Sequence, residues 1–202
     1  MYQTNAIVLA RRPLGEHDEL VSFYTQDFGK LVIRVRGIKK TTTKQGNFLH
    51  TFGVTGISFI LGKGGPLLSG VVSVRAYPGV TNHLLAHGYT GSFLALCDKL
   101  LYEYAKDDAL WKLLVTVLEE AEQISQEEGE AKETLWAKEK MWLVSLMETL
   151  GVLPRMLHTE KAANKSQFDH YLQRVLEDKF NTPLSFFGLR MSFSSRQRTP
   201  KV

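Results

Sequence analysis

A few residues of this chain have types and spacings that could support metal or phosphate chemistry. His83 and His87 lie four residues apart at a predicted helix start, which would put two imidazoles on one helix face. The segment lacks the glutamate of an HExxH motif and a third ligand, so we interpret both residues as capping or half-buried histidines. The segment Gly62-Lys63-Gly64-Gly65 resembles a phosphate-cradling loop but lacks the GxxxxGK[ST] pattern, and it predicts a hairpin turn instead.

The carboxylates and the thiol also lack a catalytic arrangement. Glu16, Asp18 and Glu19 follow a turn and begin a strand, a position typical of a solvated turn. Cys97 is the single cysteine and stands among apolar residues, so it predicts a buried thiol and excludes a four-cysteine zinc site. The sequence therefore predicts a protein that is not an enzyme and has no metal or cofactor.

Basic residues cluster where they could contact a polyanion. Arg34 and Arg36 lie two residues apart on one face of a predicted strand, and Lys39, Lys40 and Lys44 follow in the adjoining loop. Neutralising phosphates with such side chains releases counterions, which is the main source of affinity when sequence is not read. The alternative is that these side chains only keep an exposed strand face soluble.

Single-strand binders also need aromatic platforms on which bases stack. The aromatic candidates near the basic cluster are Tyr24, Phe48, Phe52 and Tyr77. Of these, Tyr24 and Phe52 are of a kind more often found in the interior of a barrel. We include Phe48 with the basic cluster in the predicted nucleic-acid-binding site.

Charge divides the chain into parts. Residues 1–80 hold ten basic and four acidic residues, residues 98–148 hold six and thirteen, and residues 149–202 are again basic. A basic first part joined to an acidic middle predicts two modules, the first of which meets a polyanion.

The elements that must position these residues follow from hydrophobic periodicity. Short runs rich in Val, Ile and Phe predict five strands, near residues 4–11, 18–25, 30–38, 50–61 and 67–77. In the third strand, Leu31, Ile33 and Val35 point to one face, whereas Lys30, Val32, Arg34 and Arg36 point to the other, which predicts a core face and a basic face. Five short strands punctuated by glycine favour a small closed barrel.

Helical spacing begins near residue 82. Apolar residues recur every three or four positions from Leu84 to Tyr104, from Leu110 to Leu118 and from Trp136 to Leu150. The acidic segment 119–133 predicts a solvated helix end and connection, and a further helix is expected over 166–179. The fold class is therefore α+β, strands followed by helices. We expect a barrel domain over 1–80, a helical domain over 81–190 and a flexible basic tail over 191–202.

The order of many weak landmarks over roughly residues 1–155 resembles the RecO family of bacterial recombination mediators. The landmarks are Gly15-Glu16-His17-Asp18, Phe28-Gly29-Lys30-Leu31, Arg36-Gly37-Ile38-Lys39-Lys40, Gly62-Lys63-Gly64-Gly65, Leu110-Trp111-Lys112-Leu113-Leu114 and Leu150-Gly151-Val152-Leu153-Pro154. The resemblance implies an N-terminal OB-fold barrel followed by a helical domain. Many members carry a four-cysteine zinc module in the C-terminal domain, which this chain with its single cysteine cannot build.

The resemblance also implies a function and partners. It implies a mediator of DNA repair and homologous recombination that binds single-stranded DNA and anneals complementary strands. With RecR, such a mediator would help to load the RecA recombinase onto DNA coated by single-stranded DNA-binding protein. Participation of RecF and binding of double-stranded DNA stay open. An OB-fold adaptor that binds RNA, or only protein partners, is the alternative.

A partner site is expected on the helical domain. The tail of single-stranded DNA-binding protein is acidic and ends in apolar residues, so its receptor needs an apolar surface beside a cation. Lys138, Lys140 and Trp142 satisfy this pattern near the start of the third long helix, unless the lysines only pair with Glu133 or Glu139. No secretion signal or spanning segment is recognised, so a cytoplasmic, nucleoid-associated location is expected.

Overall fold

The computed structural model of this chain describes residues 1–37, 49, 52–127, 131–153 and 174. The chain forms two compact units, residues 1–157 and residues 158–202. Lys39, Lys40, Lys44 and Phe48 lie outside the described residues, as does the predicted tail over 191–202, and of the predicted helix over 166–179 only Arg174 is described.

Five strands close into a barrel with the order β1-β2-β3-β5-β4, in which β3 and β5 are parallel and the other neighbours are antiparallel. This topology confirms the predicted OB-fold barrel. The strands are β1 (Tyr2–Leu14), β2 (Asp18–Thr25), β3 (Gly29–Val35), β4 (Gly53–Gly62) and β5 (Gly65–Ala76).

The alternating pattern fills the barrel interior. In β3, Leu31, Ile33 and Val35 are buried, and they pack with Phe23 and Phe59 in the barrel core. The turn into β3 needs Gly29, which has a φ of 70° and whose missing side chain leaves room for the Ala105 backbone. The inward face predicted from period-2 spacing is therefore the core face.

Four helices follow the barrel within the described part of the chain. They are α1 (Pro78–Asn82), α2 (Leu84–Leu100), α3 (Asp108–Ser125) and α4 (Ala131–Thr149). Proline stands at the start of α1, where its missing N–H costs no hydrogen bond. After α4, Gly151 adopts a φ of 70°, and the amide of Val152 donates to the Met147 carbonyl at 2.9 Å, which ends the helix.

Two helix boundaries differ from the sequence-based prediction. The helical rhythm continues to Tyr104, but α2 ends at Leu100 and Tyr104 has a φ of 63° in the following loop. The acidic segment after Leu118 continues α3 as far as Ser125, because its carboxylates have partners: Glu122 accepts the amide of Val80 at 2.9 Å. No helix among the described residues is long and apolar enough to cross a membrane.

Candidate nucleic-acid interface

Part of the exposed positive charge of the barrel lies at the C-terminal end of β3. Arg34 pairs with Leu67 of β5 across the parallel seam, close to the β4–β5 turn that carries Lys63. The side chains of Arg34, Arg36 and Lys63 are exposed. In OB-folds, strands 2 and 3 together with the β1–β2 and β4–β5 loops form the surface that binds oligonucleotides. The described cations therefore occupy the side of the barrel suited to a nucleic-acid strand.

Arg34 is held in place by Asp18 at the start of β2. Its Nε and Nη2 atoms donate to Asp18 Oδ2 at 3.0 and 2.6 Å, and Asp18 Oδ1 accepts the Gly37 amide at 3.0 Å. The hydrogen bond from Arg34 and that from Gly37, with the charges of Arg34 and Arg36, lower the pKa of Asp18. Asp18 thereby fixes the backbone just beyond β3 and offsets the charge of Arg34.

Arg36 and Lys63 differ from Arg34 in this respect. Within the described ranges, neither side chain has an ion pair or hydrogen bond. Arg36 and Lys63 can therefore contact phosphates without breaking an internal bond. For this reason a substitution of Arg36 tests DNA binding more directly than a substitution of Arg34.

The helices cover one end of the predicted basic face of β3 and leave the other end exposed. Lys30 shares the outward parity of Arg34, but it is buried beneath the C-terminal end of α2. Its Nζ lies 3.1 Å from Asp98 Oδ1 and donates to the carbonyl oxygens of Asp98 and Leu101. The expectation that Lys30 belongs to an open basic face was wrong, because periodicity shows which side of the strand it occupies but not what covers that side.

Asp98 is the centre of this buried contact between barrel and helix. Burial alone would raise its pKa, but hydrogen bonds from Ser22 and Lys30 and the charges of Lys30 and Arg12 outweigh it, so the pKa lies below its usual value. The carboxylate therefore stays ionised and joins β1, β2 and β3 to α2.

The candidate stacking residues have other roles where they are described. Tyr24 and Tyr77 are buried, and Phe52 packs edge-on against His87 with ring centroids 4.9 Å apart. His83 caps α2, since its Nδ1 accepts the Ala86 amide at 3.2 Å. The described exposed tyrosines instead include Tyr102 and Tyr104, which the helical interpretation of that segment obscured.

The three residues of the predicted partner site occupy different environments. Lys138 pairs with Glu120 at 2.8 Å, and Trp142 is buried and donates from Nε1 to the same carboxylate at 2.7 Å. Lys140 Nζ lies 3.7 Å from the centre of the Trp136 ring. Lys138 thus pairs with α3 and not with Glu133 or Glu139, and the Trp142 ring belongs to the helical core.

A metal-binding cluster is not apparent in the part of the chain that the structure describes, where no three His, Cys, Asp or Glu side chains come together. Cys97 is buried, and burial raises the pKa of its thiol.

The topology and the open cationic end of β3 define an OB-fold barrel protein. Residues 1–74 match the family described as "Recombination protein O N terminal". The chain is 32% identical over 121 residues to the DNA repair protein RecO of Geobacter metallireducens, an alignment that covers 60% of this chain and 50% of that protein. It is 33% identical over 118 residues to the RecO of Geobacter sulfurreducens, covering 58% and 49%. The RecO of Dehalococcoides mccartyi is 27% identical over 127 residues, covering 63% and 50%.

The chain is similar to RecO proteins, and the match of its residues 1–74 to the N-terminal family supports a relation to the RecO family. It spans about half the length of the curated relatives it matches.

Proposed function

We propose that this protein acts in DNA repair and homologous recombination as a non-enzymatic mediator that binds single-stranded DNA. The observation that carries the proposal is the pair of exposed cations, Arg36 and Lys63, beside Arg34 on an OB-fold barrel whose sequence matches the RecO family. Electrostatic contacts to phosphates do not read sequence, so binding should be indifferent to base order.

Mediation by such a surface needs no bond-breaking step. Two complementary strands repel each other through their phosphates, and a protein that neutralises both lowers that barrier to annealing. We propose that this chain accelerates annealing and, with RecR, helps to load RecA onto strands coated by single-stranded DNA-binding protein.

Fluorescence anisotropy with a labelled oligonucleotide across a salt series tests the DNA contact. With about four to six phosphates neutralised, the slope of log affinity against log salt should be roughly −3 to −4, at about −0.7 per contact. Arg36→Ala should reduce the magnitude of the slope by about 0.7. Lys112→Ala, which removes one exposed cation from α3, is the matched control and should leave the slope unchanged.

A flat salt response, or an equal slope for Arg36→Ala and the parent, would refute the assignment of this surface. Binding to a protein partner with no affinity for DNA or RNA would favour the OB-fold adaptor. An annealing assay with two labelled complementary strands extends the test, because Arg36→Ala should slow annealing at concentrations where Lys112→Ala does not.

We further propose that Lys140 contacts the acidic tail of single-stranded DNA-binding protein. Lys140 lies over the Trp136 ring, and the neighbouring Met141 is exposed, so cationic and apolar surface adjoin at this point of α4. Lys140→Glu should weaken binding of a tail peptide by more than about 1 kcal/mol, whereas Lys112→Glu should not. Equal peptide affinities for the two variants would remove Lys140 from the site.

A further inference from the structure

The loop between α2 and α3, residues 101–107, presents two aromatic rings to solvent. The side chains of Tyr102 and Tyr104 are 84% and 63% exposed. A tyrosine ring is largely apolar, and an exposed tyrosine on a rigid support offers contact area at a low entropy cost. Two such residues, separated by one position, therefore form a candidate interaction surface.

The barrel holds this loop firmly. The amide of Tyr104 donates to the Lys30 carbonyl at 2.9 Å, and Glu103 forms a parallel bridge with Lys30 at the start of β3. Farther along the loop, the Tyr24 hydroxyl accepts the Asp107 amide at 2.9 Å and donates to the Asp107 carbonyl at 3.1 Å. The rings thus project from a backbone that is fixed at both ends.

Tyr104 has a left-handed backbone, with a φ of 63°. This conformation is unfavourable for a bulky residue and natural for glycine or asparagine. Strained conformations of this kind are concentrated at functional sites. A tyrosine at this position costs folding free energy, although its ring remains mostly in solvent.

The loop adjoins the same strand that carries the exposed arginines. Glu103 is bridged to Lys30, and Arg34 lies four residues farther along β3, about 13 Å at the usual rise of a strand. A nucleic-acid strand that follows β3 would have cations at one end and tyrosines at the other. Tyr24 and Tyr77 are buried, and the 43% exposed Tyr2 of β1 stacks on the Phe59 ring, so the two loop tyrosines are the better candidates for a base platform.

The charges of the loop indicate whether it could bind a nucleic acid through phosphates or through bases. Lys106 pairs with Asp108 at 3.3 Å, and Asp107 caps α3 through the amides of Ala109 and Leu110. With Glu103 exposed as well, the segment has no cationic excess to attract phosphates. Its affinity for a nucleic acid must come from stacking, which depends little on salt.

We infer that Tyr102 and Tyr104 form a stacking platform for unpaired bases of single-stranded DNA, which extends the proposed phosphate contacts of Arg36 and Lys63 toward the start of β3. This inference rests on the proposed function. Stacking contributes through the π face that all four bases share, so it is compatible with binding that ignores sequence.

The test uses the full chain and a labelled mixed-sequence oligonucleotide, with four variants measured across the salt series. Tyr102→Ala and Tyr104→Gly should each weaken binding about fivefold to a hundredfold, the range for one stacked base. Their log–log salt slopes should equal that of the parent, because no phosphate contact is lost. Tyr102→Phe and Tyr104→Phe keep the rings and should bind as the parent does.

Stability measurements separate binding from folding. Tyr104→Gly relieves the strained backbone, so its melting temperature should be unchanged or higher while its affinity falls. A fall in both quantities would assign the ring to the fold and overturn the inference. Photocrosslinking to an iodouracil-substituted strand should label Tyr102 or Tyr104, and labelling confined to other peptides would also overturn it.

The outcomes distinguish this inference from the function on which it rests. If the parent binds with a steep salt slope and Arg36→Ala reduces that slope, but the tyrosine variants bind like the parent, the platform is refuted and the proposed function stands. If the parent binds no single-stranded DNA at low salt, both are refuted.

Discussion

Glu139 on α4 is a buried carboxyl group that should make the stability of this protein depend on pH near neutrality. Its side chain is 1% exposed, and neither carboxyl oxygen has a hydrogen-bond partner in the described structure. Burial raises its pKa to about 7 against the opposing charge of Lys140. The pKa of the Tyr89 hydroxyl on α2 is also raised, mainly by burial and to a lesser extent by the charge of Glu139.

The size and sign of the effect follow from linkage. The pKa of Glu139 is the ordinary 4.5 in the unfolded chain and about 7 in the folded chain. This difference corresponds to about 3 kcal/mol of unfolding free energy. The folded state holds the proton more tightly, so the contribution is fully favourable below pH 4.5. It is lost as the pH rises through 7, because the folded protein must then bury an unpaired carboxylate.

Urea unfolding of the parent and of Glu139→Gln at pH 5 and pH 8 measures this contribution. The variant cannot ionise, so the difference in unfolding free energy between variant and parent should shift in the variant's favour by about 2.5 kcal/mol between the two pH values, since a small part of the effect is already present at pH 5. Glu133→Gln, a change at an exposed position of the same helix, is the control and should follow the parent. An equal pH dependence in the parent and Glu139→Gln would refute the assignment of a raised pKa to this group.

Three further predictions concern the contacts between barrel and helices. Lys30→Met leaves the Asp98 carboxylate buried without its closest ammonium group, so urea unfolding should show a loss of about 3–5 kcal/mol. Gly29→Ala places a side chain against the Ala105 backbone at a φ of 70°, and a loss of more than about 3 kcal/mol is expected in the same assay; a smaller loss would show that the loop can move aside. Because burial raises the pKa of the Cys97 thiol, a thiol-specific reagent should modify it only after unfolding, and rapid reaction of the native protein would contradict the buried position.

The barrel could be predicted from the sequence because local rules determine it. Alternation from Leu31 to Val35 specified the inward face of β3, and glycine-containing turns specified where strands reverse. The closed five-stranded barrel was expected from the spacing of strands and turns, and the OB-fold from the family resemblance. These features depend on residues that are neighbours in sequence or on repeated patterns, which a single chain displays.

The outward side of the same strands was less predictable, because long-range packing decides its role. Glu120 illustrates this: nothing near it in sequence indicates that its carboxylate receives both Lys138 and the Trp142 indole from α4. Tyr104 continues an apolar rhythm, yet the chain leaves the helix at Leu100. Periodicity assigns a residue to a face, but only the packed structure shows what faces it.

The helices determine which part of β3 can serve as an interface. Lys30 and Arg34 lie on the same face of β3 but differ in exposure. The C-terminal end of α2 covers Lys30 and does not reach Arg34. The buried end holds Asp98 and fixes the loop that carries Tyr102, whereas the open end presents Arg34 and Arg36. If α2 were absent, Lys30 would add a cation to the surface, and the tyrosine loop would be held only by its contacts with the barrel. The same packing that removes one cation from solvent therefore positions two aromatic rings beside the remaining ones.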